Sequence, residues 1–333
     1  MATIYEVSEL AGVSLATVSR VMNDSGRVSD KTREKVLAAM RELDYRPNTV
    51  AQSLASHRSD CVGVLVSEVY GPIFGSMLSG IEDELSRAGK FAIFATGHSD
   101  ADKEREAIRF LISRNCDALI LHVEALSDDY LLEQEDGELP FVVINRVVPG
   151  METRCIVLDN ERGGYDATRM LLDMGHRRIA YISGPLAWGD AQARLEGHKR
   201  ALKERGCRFD ERLLVEGDYQ EITGSNAMVQ LLQLGIPFTA VVCANDEMAA
   251  GAIDMIRSRG MSIPDDMSIV GFDNAPVSRY VYPKLSTVNY PVREMGRMAA
   301  HWVLQHAYDG NGVEIQHVFK PRLVERASAR PPK

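Results

Sequence analysis

From Cys61 onward, short apolar runs alternate with amphipathic stretches, and over most of the chain this alternation leaves few folds open. Strand-like runs fall at Val62 to Ser67, Phe91 to Thr96, Ala118 to Val123, Phe141 to Asn145 and Cys155 to Leu158. A second series falls at Ile179 to Ser183, Leu213 to Glu216, Ala240 to Cys243 and Ser268 to Phe272. Strands separated by helices pack as parallel sheets with helices on both faces. Two such series predict two similar α/β Rossmann-like lobes with a ligand cleft at the carboxyl ends of their strands. The core is expected over 61–333, its first lobe over about 61–158 plus 290–318 and its second over about 159–289 plus 319–328.

Ahead of this body, residues 1–46 read as an all-α helix-turn-helix domain. Ile4 to Asn23 gives two short helices at a sharp angle, with Val7, Leu10 and Ala11 at helical spacing, Gly12 for the turn, Val13 as the plug and Ser14 as N-cap. Val18 and Val21 or Met22 face the core, which turns Leu15, Ala16, Thr17, Ser19, Arg20 and Asn23 outward. Small apolar groups, hydroxyls and an arginine suit a major groove, where thymine methyls and guanine acceptors lie side by side. A three-helix cap with no nucleic-acid role carries the same pattern. A third helix is expected from Asp30 to Leu43 behind Ser29, with Arg20, Arg27, Lys31, Arg33 and Lys35 as a phosphate-facing rim.

A net charge of −9 is an odd match for double-stranded DNA until it is split by position. Residues 1–58 hold eight Lys or Arg against seven Asp or Glu, a balance of +1, so the rest carries −10. An acidic body limits nonspecific association with DNA without forbidding a specific complex. No run approaches the roughly 18 apolar residues of a membrane span. Glu6 and Glu9 interrupt any apolar signal core, so a soluble, cytoplasmic and nucleoid-associated protein is expected. Cys61, Cys116, Cys155, Cys207 and Cys243 are scattered and never form a C-x-x-C pair, which suits free thiols in a reducing compartment and indicates neither a metal site nor a disulfide frame.

Residues 47–60 read as a hinge helix and linker. Pro47 starts a helix well, and Asn48 to Ser56 is too short to be helical alone, since isolated helices below about 12 residues are marginal in water. Val50 and Leu54 share one face. An apolar wedge such as Leu54 can open a minor-groove base step. A linker helix docked on the next domain fits the position equally well.

At the strand ends, Ser67 and Asn145 fall in the first lobe and Asn245-Asp246 and Asp273 in the second. Arg194 on a predicted helix adds a fork of donors, and Phe74, Trp188, Tyr219 and Tyr290 supply flat apolar faces. Carboxylate, amide and guanidinium groups around an aromatic wall suit a sugar, whose hydroxyls need paired partners and whose C–H face needs a flat surface. Taken singly, each of these residues is as well explained as a helix cap, an ion pair or core filler.

The stretches TIYEVSELAGVSLATVSRVMN, RPNTVAQSLA, ANDEMAAGA and SIVGFDN resemble, in that order, the DNA-binding signature, hinge helix and effector-lobe motifs of the lactose/galactose repressor family. The resemblance covers essentially the whole chain, and INRVVPG, RCIVLD, FTAVVCANDEMAAGA and VSRYVYPKLSTVNYP place it nearest the galactose repressor and isorepressor branch. It implies base reading by Leu15, Ala16 and Arg20, a Leu54 wedge and lobes of periplasmic-binding-protein type. It further implies effector contacts from Asn145, Arg194, Asn245 and Asp273, with Asp159 and Tyr219 nearby. The expected behaviour is that of a homodimeric repressor of a palindromic operator, released by a small-molecule sugar such as galactose, another hexose or a glycoside. The family member that tetramerises carries a C-terminal leucine heptad, whereas this chain ends ERASARPPK, so a dimer is the expected limit.

Other classes fit less of the chain. An α/β sugar-processing enzyme needs an activated nucleophile, a metal cluster or a phosphate loop, and no G-x-G-x-x-G, Walker or G-x-S-x-G element is present. A sugar-transport receptor leaves the N-terminal reader unexplained. A purine-type, corepressor-dependent repressor differs in whether ligand strengthens or weakens operator binding. No cofactor is expected.

Overall fold

The computed structural model describes residues 2–22, 26–45, 58–135, 137, 139–308, 310 and 312–333. Asn23 and the hinge segment with Leu54 lie outside these residues. The chain divides into two compact units, Met1–Asp60 and Cys61–Lys333.

In the first unit, α1 (Ile4–Ala11), α2 (Leu15–Met22) and α3 (Asp30–Glu42) each begin at a polar cap. Thr3 accepts from the Glu6 amide and its own amide donates to the Glu6 carboxylate at 2.7 Å, a reciprocal box that satisfies two otherwise orphaned donors. Gly12, at φ 64°, ends α1 in a left-handed turn that a β-carbon would strain. Ser14 accepts from the Thr17 amide at 3.2 Å and Ser29 from the Thr32 amide at 3.3 Å. Val7, Ala11, Val18, Val21, Val36 and Ala39 form the core, with Val13 and Met22 packed against it. Leu10 departs from expectation and is 47% exposed, because α1 buries the i, i+4 pair Val7 and Ala11 and Leu10 projects from the flank.

The second unit runs β1 (Cys61–Val66), α4 (Pro72–Arg87), β2 (Phe91–Thr96), α5 (Ala101–Ser113), β3 (Ala118–Leu121), α6 (Asp128–Glu135), β4 (Phe141–Ile144) and β5 (Cys155–Leu158). It continues through α7 (Asn160–Asp173), β6 (Ile179–Ser183), α8 (Gly189–Glu204), β7 (Leu214–Glu216), α9 (Glu221–Gln233), β8 (Ala240–Cys243), α10 (Asp246–Ser258) and β9 (Ser268–Val270). Last come α11 (Val277–Tyr280), β10 (Thr287–Asn289), α12 (Val292–Ala307), β11 (Val318–Phe319) and β12 (Arg322–Val324). One parallel sheet has the order β11-β5-β4-β3-β1-β2 and the other β7-β6-β8-β9, while β10 and β12 form an antiparallel pair. β3 and β9 each stop two residues earlier than the apolar runs suggest, so His122 and Phe272 lie just past their strands. The chain crosses between the lobes after Leu158, at 289–292 and beyond Phe319, which pairs with Leu158 in the first sheet. Among the described residues no helix is long and apolar enough to cross a membrane.

Helices flanking the sheets meet at paired glycines. A β-carbon on Gly164 of α7 would land on the Arg194 carbonyl of α8, and one on Gly197 of α8 would land on the Glu161 carbonyl of α7. Gly224 and Gly251 make the same reciprocal approach between α9 and α10, and Gly80 and Gly296 between α4 and α12. Gly80→Ala should therefore force α4 away from the Arg293 carbonyl and cost about 1–3 kcal/mol. Gly75 of the same helix is exposed with nothing near its missing β-carbon, so Gly75→Ala should stabilise by about 0.5–1 kcal/mol. Denaturant unfolding of the two variants checks this, and equal signs would show that helix propensity rather than close packing governs both sites.

Candidate functional site

Arg194 of α8 is the charge around which the second lobe's strand ends close. Its side chain is 3% exposed. Its Nε donates to Asn160 Oδ1 at 2.8 Å and Nη1 to the Ala244 carbonyl at 2.6 Å, and the guanidinium lies 3.9 Å over the Phe272 ring. Asp190, one helical turn back, is 3.6 Å away, and Asp273 is 3.7 Å away at the far side. Burial opposes the charge, but the Tyr219 hydroxyl and the Asp190 and Asp273 carboxylates outweigh it and hold Arg194 protonated well above the ordinary arginine range. Burial pushes the Asp273 carboxyl up to about 7, with Arg194 pulling it down and Asp190 and Glu247 adding to the rise.

Aromatic rings enclose this charge. Arg194 lies 5.7 Å from the Tyr219 ring centre and 5.9 Å from that of Tyr290, and Trp188 packs beside Tyr219 at 5.9 Å between centroids. The Tyr219 hydroxyl donates to Asp190 at 3.0 Å. Asn245 is occupied internally: its Nδ2 donates to the Tyr219 carbonyl at 2.8 Å while its Oδ1 accepts the Met248 amide as the cap of α10. In the structure Asn245 thus orients Tyr219. Asp159 is not part of the Arg194 cluster, because its carboxylate caps α7 by accepting from the Arg162 amide at 3.0 Å, and its neighbour Asn160 reaches the guanidinium instead.

The first lobe faces this cluster with β-strand ends. Ser67 Oγ lies 3.3 Å from His122 Nδ1, and Phe74 of α4 meets the His122 ring edge-on at 5.3 Å. His122 Nε2 is 3.7 Å from Glu124. Burial drives His122 down to about 4, so it is neutral at pH 7. Burial, with Asp190 adding to it against the pull of Arg146, raises Glu124 to about 8, which leaves it a neutral donor at pH 7. Asn145, at φ 68°, keeps a buried Oδ1 with no protein partner. His122, Glu124, Asp190, Asn160 and Phe272 escape a reading by strand ends, because the apolar runs carry β3 and β9 past His122 and Phe272. The i, i+4 spacing of Asp190 and Arg194 is the one signal that marks another of them.

On the first unit, Leu15, Ala16 and Arg20 of α2 are exposed, Thr17 and Ser19 are half-buried, and Ser14 and Thr17 share a hydroxyl contact of 2.9 Å. Arg27 and Lys31 are exposed beside them in sequence. The arrangement leaves an outward face of small apolar, hydroxyl and cationic groups.

Residues 3–48 match the model of the bacterial regulatory proteins of the lacI family, and residues 168–329 match the periplasmic binding protein-like domain. The chain is 42% identical over 332 residues to the HTH-type transcriptional regulator GalR of Escherichia coli K12, covering 100% of this chain and 97% of that one. It is 33% identical over 329 residues to the HTH-type transcriptional repressor PurR of Aliivibrio salmonicida, covering 98% and 99%. A crystal structure of the lac repressor dimer bound to operator and the anti-inducer ONPF superposes with a TM-score of 0.89 at 31% identity, covering 99% of each chain. With its helix-turn-helix unit and its two-lobed α/β core, the chain belongs to the lacI family of bacterial regulatory proteins and is a DNA-binding transcription regulator rather than an enzyme.

Proposed function

We propose that this regulator is a homodimeric repressor of a palindromic operator, released when a neutral sugar, galactose or a related hexose or glycoside, binds between the lobes of its core. The observation that carries the sugar is the Arg194 cluster, a buried guanidinium between two carboxylates walled by Phe272, Tyr219 and Tyr290, to which the first lobe's β4 end adds the unpartnered Asn145 acceptor. Ser67, Phe74, Asn145, Arg194, Tyr219, Asp273 and Tyr290 contact or wall the ligand, with Asn245 and Asp159 supporting them through the helix caps they form. Such a site pairs vicinal hydroxyls, and leaving one polar group unpaired costs about 1–3 kcal/mol. GalR at 42% identity supports the choice of galactose over a purine, and PurR at 33% keeps the purine corepressor as the alternative. Thermal shift with monosaccharides, their phosphates and purines, followed by operator release, tests it. Stabilisation by a purine with tighter DNA binding, and by no sugar, would replace this reading with the alternative.

In the same proposal residues 1–46 read DNA, 47–60 form the hinge and 61–333 bind effector and partner. Leu15, Ala16 and Arg20 read bases, with Ser14, Thr17, Ser19, Asn23, Arg27 and Lys31 around them and Leu54 as the central wedge. Strand β2 supports a homodimer, since an edge strand that exposes Phe91 at 69% and Phe94 at 43% invites a second copy. A regulator that acts on DNA works in the cytoplasm, and association with the nucleoid belongs to the proposal. A ligand that favours one lobe arrangement shifts operator affinity only by its differential affinity for the two states, and about 1–3 kcal/mol suffices for a several-fold change in occupancy.

Two outcomes are expected. Arg20→Ala should cost about 1–3 kcal/mol of operator affinity concentrated at one base position, whereas Lys31→Ala should weaken all sequences alike and reduce the salt slope. Titrations against single-base operator variants check this, and a uniform loss for Arg20→Ala would reassign it to phosphate. The second concerns pH. Asp273 accepts sugar hydroxyls as a carboxylate, and the groups facing it are Arg194, Asp190, Glu247, Asp246 and Tyr290. Sugar affinity should therefore rise as pH climbs through about 7, where Asp273 ionises, and Asp273→Asn should flatten that rise. Calorimetric titrations from pH 6 to 8.5, roughly one unit or more either side of that value, measure both. A pH dependence that survives in Asp273→Asn would assign it to Glu124 instead.

A further inference from the structure

The Asp273 carboxylate reaches Arg194 from an unusual stretch of backbone. Asp273 has φ 105° and the next residue, Asn274, has φ 57°, two successive non-glycine residues in a region that side chains rarely adopt. Such a corner persists only where its surroundings over-determine it. Its backbone rides on β10, with the Asp273 amide donating to the Val288 carbonyl at 2.8 Å and the Tyr290 amide donating to the Asp273 carbonyl at 3.2 Å. From one side the buried Asp246 accepts from the Ala275 amide at 2.8 Å and from the Thr287 hydroxyl at 2.6 Å.

From the other side the corner is held by the C-terminal segment. Arg326 Nη2 donates to Asn274 Oδ1 at 2.5 Å while Nη1 donates to the Leu285 carbonyl at 2.6 Å and lies 3.2 Å from Ser278 Oγ. Asn274 Nδ2 donates to Asn289 Oδ1 at 2.9 Å, so both ends of this amide are engaged by protein. The segment is itself pinned. Ser328, fully buried, donates to the Ile269 carbonyl at 2.6 Å and accepts the Ser286 amide at 2.8 Å, and the Arg326 amide donates to Ser286 Oγ at 2.9 Å. Removal of the Arg326 guanidinium would strip the Asn274 side chain of its charge-assisted partner, with Asp273 the adjacent residue.

We propose that Arg326 is a positioning residue for the effector: by clamping Asn274 in its left-handed conformation, it sets the Asp273 carboxylate against Arg194 and into the cleft. The inference rests on the sugar reading above for its ligand and on the bonds themselves for its mechanics. The C-terminal segment then belongs to the binding apparatus although it contributes no contact of its own to the ligand.

The test uses the full chain, D-galactose as probe, and the variants Arg326→Ala, Asn274→Gly and the double variant. Arg326→Ala should weaken D-galactose about tenfold. It should also displace the midpoint of the pH dependence and accelerate hydrogen exchange at 272–276 in the sugar-free protein. In the Asn274→Gly background, which keeps the left-handed backbone but lacks the acceptor, the further loss on Arg326→Ala should nearly vanish, because both changes remove the same bond. A merely structural arginine would lower the melting temperature, leave the pH profile in place and add its effect in full to that of Asn274→Gly, and that pattern overturns the proposal. Should Arg326→Ala fail to fold, Arg326→Lys, which keeps the charge and loses the fork, takes its place with the same expectations. If the wild type binds no D-galactose, the choice of galactose falls and hydrogen exchange alone decides the clamp. Exchange at 272–276 that matches the wild type in the arginine variant refutes it, and acceleration confined to that corner upholds it.

Discussion

A guanidinium withdrawn from water must find its compensation in the protein, and the second lobe is arranged around that requirement at Arg194. A lone buried charge is prohibitive, so the group needs carboxylates close by and hydrogen-bond acceptors in the right directions. The Ala244 carbonyl, Asn160 Oδ1, Asp190, Asp273 and the face of Phe272 supply these from four separate places in the chain. Asn160 can reach across only because α7 and α8 lie in backbone contact, with Gly164 against the Arg194 carbonyl itself. The glycine pair and the arginine are therefore one device: close helix packing brings an amide within reach, and that amide helps keep the charge buried.

The two lobes present unlike chemistry to the cleft. The second contributes the permanent charge and the carboxylates. The first contributes groups that burial holds neutral, His122 and Glu124, and an amide oxygen without a partner. Neutral donors and acceptors opposite a compensated charge suit a ligand with many hydroxyls and no charge of its own, since a charged ligand would upset the balance among Arg194, Asp190 and Asp273. Besides burial, the Asp190 carboxylate of the second lobe raises the proton affinity of Glu124 in the first, so any change in the spacing of the lobes alters that affinity.

The helical unit is built on a different economy of scale. Among the described residues its fully buried apolar core is six side chains no larger than valine, with Ile4, Met22, Met40, Leu43 and Tyr45 packed against them, and polar caps and a glycine turn fix the helix ends. Small side chains inside allow short helices to approach closely, and Leu15, Ala16 and Arg20 of α2 stay exposed. Residues 1–58 are near-balanced in charge, at +1, whereas the rest of the chain carries −10.

Much of this was legible in the sequence because its causes are local. The period of apolar residues fixes strand or helix, Ser14 and Ser29 mark helix starts by hydrogen bonds to amides three residues on, and Gly12 marks the turn. Residue type at a strand end was enough to select Ser67, Asn145, Asp273 and Arg194's neighbourhood, since parallel sheets bring strand ends together. Leu10 was misplaced because a single turn of helix gives two choices of face, and packing against α3 picks one. The short strands β10, β11 and β12 had no signature, as two or three residues are too few to show a period. Tertiary structure alone decided that Asp159 and Asn245 spend their side chains on helix caps and the Tyr219 carbonyl, that His122, Glu124 and Phe272 face the cleft, and that Arg326 braces Asn274 across 52 residues of chain. Those assignments depend on which partner each polar group finds when the chain closes on itself, and a hydrogen bond between residues distant in sequence leaves no trace in their spacing.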